Sequence, residues 1–73
     1  SRVHIHEGAV VEDAILFDHV TVGQGARLRR CIIDKHVSIP PGESIGFDVD
    51  RDRQRFTLSD KGIVVVPEDY RFE

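Results

Sequence analysis

Aliphatic residues in the stretch 27–46 (RLRRCIIDKHVSIPPGESIG) recur at Leu28, Ile33, Ile39 and Ile45, at spacings of 5, 6 and 6. A six-residue aliphatic period fits neither one face of a helix nor the alternation of an ordinary strand. It fits a β-helix, in which each flat side of a coil supplies one hexapeptide and one inward aliphatic. Gly42 and Gly46 fall near the corners, where the chain bends sharply and a Cβ is unwelcome. The simpler alternative is an Ile-rich two-strand meander.

The pattern extends back to the first residues. Shifted by 17, the sequence matches itself: Val3, Val20 and Val37 align, as do Ile5, Val22 and Ile39, and Gly8, Gly25 and Gly42. Ala14 aligns with Cys31, Ile15 with Ile32, and His19 with His36. A triangular coil with one shortened side gives this period, and residues 1–46 then hold about two and a half stacked coils. Residues 17 apart should lie one above the other, separated by roughly 4.8 Å. Glu12 then faces Arg29, Asp13 faces Arg30 and Asp18 faces Lys35, all opposite in sign. This charge ladder supports the register independently of the apolar pattern. The stack begins in mid-coil, and a bare solenoid end needs a cap or a partner. The expectation is a piece of a longer protein, with the missing part attached before Ser1.

Beyond Gly46 the period stops. Residues 47–55 (FDVDRDRQR) read as a charged connecting loop, with Phe47 placed to cover the last coil. Residues 55–59 and 63–66 read as two strands joined by Asp60, Lys61 and Gly62, a short β-hairpin. The run from Ile63 to Val66 is apolar on both faces, so both should be covered, and Pro67 ends it. Tyr70 and Phe72 are possible anchors in an acidic tail. No helix is expected. The predicted fold class is therefore all-β: a parallel β-helix over 1–46, then a linker and hairpin tail over 47–73, together one domain.

Composition narrows the function rather than the fold. The 73 residues are 40% hydrophobic and 32% charged, with net charge −3, and no basic excess points to nucleic acid or an anionic membrane. No apolar run is long enough for a spanning helix. Cys31 is the single cysteine, so no internal disulfide or cysteine-based zinc site can form; it aligns with Ala14 and reads as core. That usage suits a reducing compartment, and a cytoplasmic location is expected.

Two groups of residues carry candidate chemistry. His19 and His36 stack on consecutive coils, and His4 and His6 alternate on one strand. A metal ligand set or general base needs convergent partners, and no third histidine converges, so stacked surface histidines are the plainer reading. Arg27, Arg29, Arg30 and Lys35 form the local basic excess. They could bind effector phosphates, or serve only the charge ladder; the ladder is favoured for Arg29 and Arg30, and both readings stay open for Lys35. No strand–Gly-rich–Lys phosphate cradle is present, so no catalytic residue is assigned.

In order, RLRR, IDK (Ile33-Asp34-Lys35), IP-x-G, IG, the Arg53-Gln54-Arg55-Phe56 segment and GIVVV resemble the C-terminal domain of bacterial glucose-1-phosphate adenylyltransferases (ADP-glucose pyrophosphorylases), tightest over 27–66. The resemblance implies a left-handed β-helix appended to an N-terminal catalytic domain. It implies transfer of adenylyl from ATP to glucose 1-phosphate with Mg²⁺, for glycogen synthesis. It also implies a homotetramer, subunit contacts through this domain, and allosteric phosphorylated effectors, with Lys35 at a basic position near effector phosphates. The tail VPEDYRFE departs from the pattern, being acidic where some relatives are basic. The competing reading is a trimeric hexapeptide-repeat acyltransferase. Such an enzyme usually extrudes a histidine-bearing loop, which residues 3–46 do not offer.

Overall fold

The computed structural model describes residues 2–72. Its strands are short: β1 (His4–Ile5), β2 (Val10–Glu12), β3 (Ile15–Leu16), β4 (Thr21–Val22), β5 (Arg27–Arg29), β6 (Cys31–Ile33), β7 (Ser38–Ile39) and β8 (Ser44–Ile45). They are followed by a helix, α1 (Val49–Arg55), and by β9 (Thr57–Leu58) and β10 (Val64–Val66). The first eight strands form three parallel sheets, β1-β4-β7, β2-β5-β8 and β3-β6. Each pair is offset by 17 residues: His4 lies on Thr21, Val10 on Arg27, Ile15 on Ile32, Thr21 on Ser38 and Arg27 on Ser44. The chain is a β-helix with three flat sides.

The corners explain which residues stand between the strands. Asp13 and Arg30 (φ 49° and 48°) occupy one corner in left-handed backbone, and His19 and His36 (φ 62° and 58°) another. The third corner is taken by Gly8, Gly25 and Gly42. Gly46 is the position where glycine is most constrained: it has φ 95°, and a Cβ there would collide with the carbonyl oxygen of Arg29 on the coil below.

Inward columns make the core. Val20, Val22, Ala26, Leu28, Cys31 and Ile33 of the second coil are buried, sandwiched between neighbours on both sides. Burying a Leu or Ile side chain in this way contributes roughly 1.5–3 kcal/mol. Their counterparts on the first coil are partly exposed, Ile5 by 52%.

The third coil is closed by a detour. After β8 the chain leaves the stack through α1 and β9, then returns as β10, which lies parallel on β6 with Val64 on Cys31 and Val66 on Ile33. The same strand pairs antiparallel with β9, Val64 opposite Leu58. Val64 and Val66 thus fill the inward columns that Cys31 and Ile33 fill one coil earlier, and both are buried.

Three expectations for the C-terminal part need correction. Residues 49–55 form a helix rather than a loop, because Asp48 caps it by accepting from the Arg51 N–H, Asp50 and Asp52 stand in its first turn, and Arg53 and Arg55 in its last. Phe47 does not cover the last coil: it is 40% exposed and lies under the guanidinium of Arg27, 4.5 Å from the ring centroid. Phe56 takes that place, in a three-ring cluster with Tyr70 and Phe72. Nor are both faces of β10 covered, since outward Val65 is only half-buried, beside half-buried Ile32 and exposed Ile15.

Candidate functional site

Lys35 and the arginines occupy different corners. Arg29 ends β5 and Arg30 makes the turn into β6, whereas Lys35 follows β6 at its far end. At the strand rise of about 3.3 Å per residue, the two groups stand roughly 15 Å apart along one side of the coil. The fold does not bring them into one phosphate cradle.

The charge ladder holds in register but not as a series of ion pairs. Glu12 lies on Arg29 as expected. The Arg29 guanidinium, however, is 6.0 Å from the Phe47 ring centroid, and Arg30 donates to the Lys61 carbonyl at 2.9 Å. Among the described residues neither arginine forms an ion pair. Asp18 accepts from the Arg2 backbone N–H at 3.2 Å. The exposed Lys35 side chain borders an open apolar cleft of ≈ 350 Å³ with Leu16, Phe17 and Asp18.

A second charged cluster closes the end of the stack. Glu43 sits one coil beyond Ala26 in the same column, and its side chain is nearly buried. It accepts from Arg55 Nη1 at 3.1 Å, and Arg51 approaches to 3.7 Å. Burial pushes the Glu43 carboxyl up, but the Arg55 hydrogen bond, the Ser44 N–H and the charges of Arg55 and Arg51 outweigh it and hold its pKa below the ordinary value. Asp52, 1% exposed, accepts from the Gly46 N–H at 2.8 Å and lies 3.7 Å from Arg55. Arg51, Arg55, Arg71, Tyr70 and Phe72 line an open cleft of ≈ 500 Å³ beside Glu43. Sequence reading missed this cluster because it took 47–55 as a loop. Asp48 before an acidic turn, with arginines four apart at 51 and 55, was the signal of a helix presenting both cations on one side.

His19 and His36 stack as expected, with ring centroids 5.0 Å apart. His36 also meets two carboxylates of the tail, Glu68 and Asp69, each 3.7 Å from its Nδ1. The sequence marks Tyr70 and Phe72 as the anchors of an acidic tail, and both pack against Phe56; the return of Glu68 and Asp69 to this corner could not be seen in the local sequence. Cys31 is buried, and burial pushes its thiol up to about 11, against a lowering hydrogen bond from the Arg29 backbone and with a smaller rise from the Asp52 charge. It is a core residue, not a nucleophile.

Three parallel sheets stepping by 17 residues, with two inward side chains on each flat side of the second coil, define a hexapeptide-repeat β-helix. The chain belongs to the GlmU-like, C-terminal hexapeptide family, whose model matches residues 1–66. It is 54% identical over 99% of its length to glucose-1-phosphate adenylyltransferase 2 of Vibrio cholerae serotype O1, covering 18% of that protein. It is 46% identical, again over 99% of its length, to the glucose-1-phosphate adenylyltransferase of Anaeromyxobacter sp. strain Fw109-5, of which it covers 18%. The enzyme of the same name from Deinococcus deserti is 49% identical over 97% of the chain and is covered to 17%. The chain thus spans less than a fifth of the length of these relatives.

Proposed function

We propose that this chain is the C-terminal regulatory and assembly module of a glucose-1-phosphate adenylyltransferase. The whole protein would transfer adenylyl from ATP to glucose 1-phosphate, with Mg²⁺, releasing pyrophosphate and giving ADP-glucose for glycogen synthesis. The observation that carries this reading is identity of 46–54% across 99% of the chain to relatives bearing that name. In this reading the coils wind left-handed, residues 47–73 form the linker and hairpin tail of the same domain, and the protein works in the cytoplasm as a homotetramer. ATP and Mg²⁺ belong to the N-terminal catalytic domain, which packs on this module.

Regulation is assigned to the corners. Lys35 is the leading contact for a phosphorylated effector, because its ammonium is exposed and makes no ion pair among the described residues. Arg29 and Arg30 are secondary candidates, since Arg30 already bonds the Lys61 carbonyl. The acyltransferase reading gains no support from the corners: the single long excursion from the coils, residues 47–63, carries no histidine.

The test is pyrophosphate release from ATP and glucose 1-phosphate with Mg²⁺. The full-length protein should release it and the 73-residue chain alone should not. A full-length protein that instead transfers acyl groups, or a short chain that releases pyrophosphate, contradicts the assignment.

A further inference from the structure

We propose that His36, Glu68 and Asp69 form a binding site for Zn²⁺ that ties the C-terminal tail to the stacked-histidine corner. His36 turns the corner between β6 and β7 in left-handed backbone, φ 58°, and its N–H donates to the Asp18 carbonyl at 3.1 Å. Asp69 arrives from 33 residues further along and takes the same backbone conformation, φ 62°, with its N–H on the Lys35 carbonyl at 3.0 Å. The two residues are therefore fixed to each other by backbone. Glu68 follows from the β10 register, one residue before Asp69.

The side-chain distances leave room for a shared cation. Nδ1 of His36 lies 3.7 Å from both Oε2 of Glu68 and Oδ1 of Asp69, too long for a hydrogen bond. With metal–ligand bonds of about 2.0–2.1 Å, the ligands of a tetrahedral zinc ion stand roughly 3.3 Å apart, so a small inward movement completes the set. One ligand atom from each of the three residues lies within 4.8 Å of the other two. All three side chains are half exposed or more, so rotamer adjustment meets no packing barrier. The His19 ring, 5.0 Å away, limits the orientation of His36 from the other side.

One imidazole nitrogen with two carboxylates is a borderline donor set. It suits Zn²⁺ rather than Mg²⁺ or Ca²⁺, which take oxygen ligands. Three protein ligands leave a coordination position open. It would border the cleft of ≈ 520 Å³ lined by His36, Ser38, Asp69, Tyr70, Arg71 and Phe72. Because Tyr70 and Phe72 also cover the end of the stack against Phe56, the ion would hold the cap in place. None of this depends on the catalytic assignment.

The test is calorimetric titration of metal-stripped full-length protein with ZnCl₂, repeated with MgCl₂, alongside hydrogen exchange of the amides of residues 66–72. The wild type should bind one more equivalent of Zn²⁺ than His36→Asn or Glu68→Gln, or bind it at least tenfold more tightly, and Zn²⁺ should slow tail exchange in the wild type alone. Asn tolerates the left-handed backbone at 36, and Glu68 is exposed at an ordinary φ, so at least the second variant keeps the fold. Equal stoichiometry and affinity in the wild type and Glu68→Gln overturn the site, as does Mg²⁺ binding there as well as Zn²⁺.

Discussion

Val20 and Ile39 are members of two inward columns, 0% and 2% exposed, and each is covered by the coils or cap on either side. A carboxylate at either position has neither water nor a partner. Val20→Asp or Ile39→Asp should cost several kcal/mol, enough to unfold so small a domain. Circular dichroism and melting would show it, and an unchanged β signal with an unchanged melting curve would contradict the column assignment. Cys31 supplies a milder check. Its buried, high-pKa thiol should resist a water-soluble thiol reagent at pH 8 in the native state and react freely in denaturant. Rapid native modification would place it on the surface.

The strands and the one helix differ in how far they could be read. The 17-residue register was legible because each coil side repeats both an aliphatic and a corner residue, so Val3, Val20 and Val37, and Gly8, Gly25 and Gly42, report the same period twice. The helix was not, because its seven residues are mostly charged and bury only Asp52, so no apolar stripe announced it. The return of β10 onto β6 is a non-local pairing, and Val64 to Val66 alone say only that the strand is apolar on both faces. The candidate basic group was legible residue by residue but not as an arrangement: the flat side formed by β6 separates Arg30, at one corner, from Lys35, beside the next.

The helix makes its own predictions. Asp48→Ala removes the cap on the Arg51 N–H and should cost about 1 kcal/mol, read as a lowered melting temperature. Glu43 binds α1 to the last coil through Arg55. Its folded pKa is depressed, so its contribution is present above the unfolded value of about 4.3 and is lost as pH falls through the lower folded value. Glu43→Gln should therefore melt below the wild type at pH 7, with the gap narrowing below about pH 4. A gap independent of pH would show that the charge does not matter.

Taken whole, the molecule is a short prism whose sides are three parallel sheets and whose end is capped by an excursion that returns to complete the last coil. Among the described residues no helix is long and apolar enough to cross a membrane. The proposed effector role of Lys35 is tested by substitution. A lysine with only a structural role, changed to Ala, should cost at most about 1 kcal/mol of stability and leave effector response alone. A lysine that binds an effector phosphate loses a charge-assisted contact of roughly 1.5–3 kcal/mol, about tenfold or more in affinity.

The decisive measurement is the effector half-saturation of the full-length enzyme and its Lys35→Ala variant, titrated with sugar phosphates and AMP. A rise of about tenfold or more for at least one effector is the expected result. Unchanged half-saturation for every effector tested would contradict a regulatory role for this corner.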